Sequence, residues 1–182
     1  MSADQIRATL IQLIALVVAV VHLYLNTFGT LSELWFAAIH FGCFGLLVAL
    51  GFPLFKPALF GSAVENIPGG SYLALTADLL TGLVAVACAL YLMLFEEDLY
   101  QRGTEFNNWD WLVSGVAVVL VVEFCRRSSG WIIPILALVA LSYSTVWGSW
   151  LENVFSFPGI SLETMLFRSY FGGEGALGSI AI

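Results

Sequence analysis

Charged residues are scarce in this sequence. Only 10% of its 182 residues are Asp, Glu, Lys or Arg, whereas 60% are hydrophobic and the mean hydropathy is +0.94. A soluble domain carries about 25% charged residues. The apolar residues occur in runs of about 20, the length at which a helix crosses a bilayer. The composition therefore predicts an all-α integral membrane protein embedded in a lipid bilayer.

Basic residues are especially few, at six Lys and Arg against thirteen Asp and Glu. They form no basic patch, so the sequence gives no sign of nucleic-acid binding. The net charge of −7 does not indicate a particular partner either, because most of the carboxylates lie in a few connecting loops.

Cysteine and histidine are also rare, and their spacing matches no metal or redox motif. Cys43, Cys88 and Cys125 each lie inside an apolar segment, so we expect them to pack as small apolar side chains. The two histidines are far apart in sequence and give no ligand spacing. With no Ser/His/Asp set and no phosphate-binding loop, we predict neither an enzyme nor a bound metal or cofactor.

Five apolar runs are long enough to span a membrane. They cover residues 6–28, 32–52, 72–95, 109–125 and 131–150. A loop rich in Gly and Pro covers 56–70, and a polar loop is expected over 99–108. Residues 1–152 are thus predicted to form one five-span membrane domain, and residues 153–182 an extracytoplasmic segment.

The segment after residue 152 differs in character from the spans. Ser161 is a suitable cap for a short helix that extends to about Tyr170, with Leu162, Met165 and Leu166 on one face. This helix is too short to span and is predicted to lie in the interface. The last residues, 172–182, resemble the start of a larger domain.

The basic residues predict an orientation. If the chain has five spans, four basic residues lie on the side of the N-terminus and two lie on the other side. The four are Arg7, Lys56, Arg126 and Arg127, and the two are Arg102 and Arg168. Because cytoplasmic loops carry an excess of Lys and Arg, we expect a cytoplasmic N-terminus.

Two carboxylates are candidate intramembrane sites. Glu123 precedes Arg127 by four residues, the favourable order for a helical ion pair, so we predict a structural charge cluster of Glu123 with Arg127 or Arg126. Asp78 has no basic residue near it in sequence. It could meet a cation from another span or subunit, lie at the interface, or take part in ion transport.

His40 is predicted near mid-membrane and His22 nearer the outer edge. A proton relay is conceivable, but a neutral histidine hydrogen-bonded between helices is favoured. Small residues within the spans are expected to allow close helix contacts. These are Gly42, Gly45, Gly82, Gly115 and Ala117.

An ordered set of residues covers the second half of the chain. Its first part runs Leu90-Tyr91, Glu97, Tyr100-x-Arg102-Gly103, Asp110, Gly115, Glu123-x-x-Arg126-Arg127-x-x-Gly130-Trp131-x-x-Pro134. Its second part runs Tyr143, Gly148, Pro158-Gly159-x-Ser161-Leu162-Glu163, Tyr170, Glu174-Gly175, Gly178. In this set the chain resembles the N-terminal part of fused TRAP transporter permeases, and is most similar to those of the TAXI type.

The resemblance implies a function that the composition alone does not. TRAP permeases are sodium-driven secondary transporters of the bacterial inner membrane that take up organic acids delivered by an extracytoplasmic solute-binding protein. They combine a small Q-type domain with a large M-type domain that carries the transport sites. This chain would be the small domain plus the linking helix, acting as a scaffold. The large permease domain would be either a missing part or a separate subunit.

Two other functions remain open from the sequence. One is a small membrane-anchor or electron-transfer subunit of a respiratory-type complex. The lack of Cys ligands and of paired histidines on facing helices counts against it. The other is a purely structural assembly factor.

Overall fold

The computed structural model describes residues 2–29, 31–54 and 70–172. These residues form seven α-helices and no strand, which confirms the all-α prediction. The helices are α1 (Ala3–Phe28), α2 (Glu33–Gly51), α3 (Gly70–Leu94), α4 (Glu96–Arg102), α5 (Asn108–Ser129), α6 (Ile132–Ser142) and α7 (Leu162–Leu166). The loop predicted over 56–70 falls almost wholly outside the described residues, as does nearly all of the last segment, 172–182.

Five helical segments are long and apolar enough to cross a membrane, as predicted. Four are α1, α2, α3 and α5. The fifth, Ile132–Trp150, begins as α6 and continues through a π-helical turn, Tyr143–Trp147, and a 3₁₀ turn, Gly148–Trp150. The chain is therefore a multi-pass helical membrane protein.

Polar caps fix where several helices begin. The hydroxyls of Ser32 and Ser161 accept hydrogen bonds from backbone N–H groups in the first turns of α2 and α7, as the sequence predicts for Ser161. Asn107 forms a reciprocal capping box with Asp110 at the start of α5. This box places the Asp110 carboxylate at the helix N-terminus, where the dipole favours negative charge.

The prediction of a loop over residues 99–108 is wrong in its first part, because α4 continues to Arg102. Its first turn holds Glu96, Glu97 and Asp98, and its last turn holds Arg102, an arrangement that complements the helix dipole. Leu99 is buried and anchors the helix. Gly103 ends this helix with a φ of 57°, a backbone angle that residues with a side chain rarely adopt.

The chain forms two compact units, residues 1–90 and 91–182, and the boundary lies within α3. In the first unit α1 packs on α2, and α2 packs closely on α3. A Cβ added to Gly82 would lie 2.9 Å from Leu46 Cα, and one added to Gly42 would lie 3.4 Å from Val86 Cα. Both glycines therefore permit close contact, as predicted. Gly115 was predicted to do the same, but a Cβ there would meet nothing within 4 Å.

In the second unit α5 packs on α6 and on the C-terminal helical segment. That segment is α7 followed by a π-helical turn, Phe167–Phe171. Leu166, Tyr170 and Phe171 are buried, and the ring of Phe171 meets that of Phe106 at 5.5 Å. The short helix thus uses part of its apolar face for packing within the protein, while Leu162 is exposed.

Candidate functional site

Asp78 lies at the centre of a network in the first unit. Its side chain is fully buried, and its Oδ2 accepts a hydrogen bond of 2.8 Å from Arg7 Nη2. Its Oδ1 accepts from the backbone N–H of Leu54 at 2.9 Å. The same arginine donates through Nη1 to the carbonyl of Leu50, the penultimate residue of α2, at 2.8 Å. Of the alternatives open for Asp78, the structure contains the cation from another span.

This network joins three elements with one ion pair. Arg7 belongs to α1, Asp78 to α3, and the backbone groups to the end of α2 and the residues after it. The carboxylate has a cationic and a neutral donor, so its charge is balanced within the protein. Such a group is suited to holding helices together; binding an ion would require the ion to displace Arg7.

A second buried carboxylate, Asp110, was not singled out from the sequence. It is 1% exposed and belongs to the second unit. Tyr91 donates its hydroxyl to Oδ1 at 2.7 Å, Arg102 Nη2 lies 3.1 Å from both carboxylate oxygens, and Asn107 N–H donates to Oδ2 at 2.9 Å. The available signal was the Asn107-x-x-Asp110 spacing, which predicts a capping box but not its tertiary partners.

A cavity of about 320 Å³ lies beside this cluster. Its lining combines opposite charges with aromatic rings: Tyr91, Phe95, Asp98, Arg102, Asn107 and Trp109. The Nε of Arg102 is buried and has no hydrogen-bond partner within the described part of the chain. The cavity therefore has a positive pole, a negative pole and apolar walls.

Glu123 holds both neighbouring arginines at the C-terminal end of α5. Arg126 donates to it in a fork, from Nε to Oε2 and from Nη2 to Oε1, both at 2.7 Å. Arg127 Nε donates to Oε1 at 2.8 Å, and its side chain is 1% exposed. The guanidinium of Arg126 also lies 5.4 Å from the ring centre of Trp131. The sequence left the choice of arginine open, and in the structure Glu123 contacts both.

His40 and His22 meet across α1 and α2, with ring centroids 5.3 Å apart and the planes steeply inclined. The expectation that no paired histidines lie on facing helices is therefore wrong. His22 and His40 are 18 residues apart in the sequence, and this separation alone does not predict that their rings meet. The preferred hydrogen bond between helices is not observed for His22, whose Nδ1 contacts the carbonyl of Val18 in its own helix at 2.9 Å. A carbonyl only accepts, so Nδ1 carries a proton and the buried Nε2 is left without a partner in the described residues.

The predicted site residues thus lie in three separate clusters. The first cluster contains Glu123, Arg126 and Arg127, as expected from their spacing. In the second, Asp78 forms an ion pair with Arg7, and in the third the ring of His40 contacts that of His22. The three cysteines are free thiols, with Cys88 buried. Among the described residues no group of three His, Cys, Asp or Glu side chains is placed to hold a metal ion.

Comparisons with protein-family models, with curated proteins and with solved structures find no match for this chain. The fold and its hydropathy therefore define the class of the protein, a multi-pass helical membrane protein with five candidate spans. The resemblance to TRAP permeases depends on the motif residues alone.

Proposed function

We propose that this chain is the membrane scaffold of a sodium-dependent TRAP-type secondary transporter for organic acids. It would work with a large permease domain or subunit and with an extracytoplasmic solute-binding protein, in a bacterial inner membrane and with a cytoplasmic N-terminus. Its own role would be structural and not enzymatic. Support comes from the ordered motif residues over the second half of the chain and from five spans of the expected length.

The observation that carries a scaffold role is the exposure of the fifth span, Ile132–Trp150. Its apolar side chains point outwards around most of the helix, with Ile132 75%, Leu136 63% and Val146 54% exposed. Only one side packs on α5. A helix of this kind can contact lipid and a large membrane partner along its whole length, as a linking helix requires.

The buried carboxylates support the same role. Asp78 and Asp110 are both fully buried and both paired with an arginine. Carboxylates that take part in transport lie along an ion or substrate pathway. Pairs completed by backbone donors favour fixed helix packing, so we place the transport sites in the large partner.

The test is reconstitution with the large domain of a TRAP permease, supplied as a separate chain. We expect the two chains to co-purify and the melting temperature of this chain to rise in the complex. Proteoliposomes that contain both chains should take up an organic acid in a sodium gradient with the binding protein added, and omission of this chain should abolish uptake. Equal monodispersity with and without the large chain, together with uptake by the large chain alone, would contradict the proposal.

The histidine pair favours one alternative, an electron-transfer subunit. His22 has a buried Nε2 without a hydrogen-bond partner in the described residues, and its ring contacts that of His40 on a facing helix. The visible spectrum of the protein purified from its native membrane tests this directly. Absorbance that disappears in His22→Ala and His40→Ala variants would support the alternative, and its absence from the wild-type spectrum would exclude a haem.

A further inference from the structure

The cavity beside Asp110 presents two opposite charges on one short helix. Asp98 and Arg102 are four residues apart on α4, so their Cβ atoms lie about 6 Å apart on one face. They do not pair with each other, because Arg102 turns its Nη2 to Asp110. Asp98 forms no ion pair with a described residue. Both residues line the cavity.

The guanidinium of Arg102 retains donor capacity towards an anion. Asp110 contacts Nη2 only, and the Arg102 side chain lines the cavity and is 32% exposed. A guanidinium N–H group that stays accessible can donate to an oxygen acceptor that enters the cavity. Phosphate oxygens fit, since arginine binds phosphate through two adjacent N–H groups.

The other wall suits a cation. The rings of Tyr91 and Phe95 lie 4.8 Å apart, and Trp109 is 65% exposed at the start of α5. Aromatic faces attract ammonium groups, and a nearby carboxylate adds to the attraction. Asp98 supplies that carboxylate. The cavity thus offers an anion-binding edge and an ammonium-binding wall within a few ångströms.

The place of the cavity in the fold indicates where such a ligand comes from. It is formed by the end of α3, by α4 and by the start of α5, the points at which two candidate spans end and begin. This is the depth of lipid headgroups, where Trp and Tyr are enriched. A volume of about 320 Å³ accommodates a headgroup and excludes most larger ligands.

We infer that this cavity binds the headgroup of a zwitterionic phospholipid, an ammonium joined to a phosphate. The phosphate lies at the free edge of Arg102, and the ammonium lies between Asp98 and the rings of Tyr91, Phe95 and Trp109. The inference does not depend on the transport function proposed above. A bound lipid would fix α4 against α5 at the membrane surface.

The test uses the full chain in vesicles of equal parts phosphatidylethanolamine and phosphatidylglycerol with identical acyl chains. After extraction in mild detergent, native mass spectrometry measures the ratio of the two lipids that remain bound. We expect phosphatidylethanolamine to be enriched about threefold to tenfold over the vesicle ratio. An equal ratio, or enrichment of the anionic lipid, would overturn the inference.

Two pairs of variants connect the ratio to the cavity. Asp98→Asn should reduce the enrichment to near one, whereas Glu97→Gln, the same charge change on an exposed neighbour outside the cavity, should leave it unchanged. Trp109→Leu should also reduce the enrichment, and Trp150→Leu, an equally exposed tryptophan, should not. Both tested side chains are exposed, so loss of folding is not expected, and the melting temperature checks this. Equal loss in a control would assign the preference to the bulk surface and overturn the inference.

A soluble headgroup separates a lipid from a free metabolite with the same chemistry. We expect millimolar phosphoethanolamine to leave the bound lipid ratio unchanged, because acyl chains hold the lipid in the bilayer next to the cavity. Displacement of the lipid by the soluble compound at that concentration would overturn the assignment to a lipid.

Discussion

Arg7 and Asp78 are 71 positions apart in sequence, yet they form an ion pair between α1 and α3. Asp78 is fully buried and Arg7 is 15% exposed. A buried pair of this kind contributes little over an apolar pair of the same shape, because desolvation offsets the attraction. Removal of one member is different, since it leaves a buried charge without compensation.

Asp78→Asn should therefore destabilise the protein strongly. We expect the free energy of unfolding to fall by about 3 kcal/mol, because the Arg7 guanidinium would lose its carboxylate. Unfolding in lipid nanodiscs measures this. Asp4→Asn, an exposed carboxylate in the first turn of α1, is the control and should change stability by about 0.5 kcal/mol or less. A double variant, Arg7→Met with Asp78→Leu, should recover part of the loss; equal effects of the two Asp→Asn changes would contradict this account.

The hydroxyl of Tyr91 should be a stabilising donor to Asp110. Tyr91→Phe removes the 2.7 Å hydrogen bond to a carboxylate that is 1% exposed, so the free energy of unfolding should fall by about 1 to 2 kcal/mol. Tyr24→Phe is the matched control, because Tyr24 is 60% exposed and its hydroxyl forms no hydrogen bond with a described residue. If both variants unfold at the same temperature, the hydrogen bond contributes nothing measurable.

These clusters differ in how far the sequence could predict them. The contacts of Glu123 with Arg126 and Arg127 follow from helical spacing, because residues three and four apart share one face. The same rule would pair Asp98 with Arg102, and there it fails. Asp110 is more deeply buried and already oriented by the capping box, so it takes the arginine. Competition between a local and a tertiary partner depends on packing that one sequence does not specify.

At the scale of elements, the contact between α2 and α3 depends on glycine. The missing side chain of Gly82 lets the backbone of α3 approach Leu46. Close approach of this kind strengthens packing between helices that lie in lipid, where the hydrophobic effect does not hold them together.

Gly82→Ala should separate α2 from α3. The added methyl would lie 2.9 Å from Leu46 Cα, so backbone must move, and we expect a loss of about 2 kcal/mol in the free energy of unfolding. Gly115→Ala makes the same change in α5, where nothing lies within 4 Å. There the better helix propensity of alanine should leave stability unchanged or raise it by up to about 1 kcal/mol. Thermal unfolding of both variants in the same lipid measures these changes in stability. If Gly82→Ala lowers the free energy of unfolding less than Gly115→Ala does, the packing account is contradicted.

The ends of the spans were the least predictable part of the fold. The sequence ends the fourth span at residue 125, before the arginines, whereas α5 continues to Ser129. The helix can continue because Glu123 pairs with both arginines along its own face, and cations suit the C-terminal end of the helix dipole. In the fifth span the change to a π turn at Tyr143 was also not predicted. The segment after Trp150 folds back against this turn, and Tyr143 donates its hydroxyl to the carbonyl of Phe155.

For the whole molecule, hydropathy determines the architecture, and the distribution of basic residues predicts the orientation. Runs of about 20 apolar residues leave helices as the only structure that satisfies every backbone group in lipid. The number of spans was therefore predictable without any knowledge of side-chain partners. The predicted orientation depends on the excess of basic residues on one side, four against two.

Cysteine labelling should reveal the N-terminus and the end of α5 on the cytoplasmic side. We expect Asp4→Cys and Ser129→Cys, each in a chain whose three native cysteines are replaced, to react with an impermeant maleimide only in inside-out vesicles. Asn108→Cys should react only in right-side-out vesicles, since it lies at the opposite end of the same helix as Ser129. Four crossings separate the first pair and three separate Asp4 from Asn108. The reversed pattern would refute the charge argument but retain the five spans, whereas labelling of Ser129 and Asn108 from one side would show that α5 does not cross.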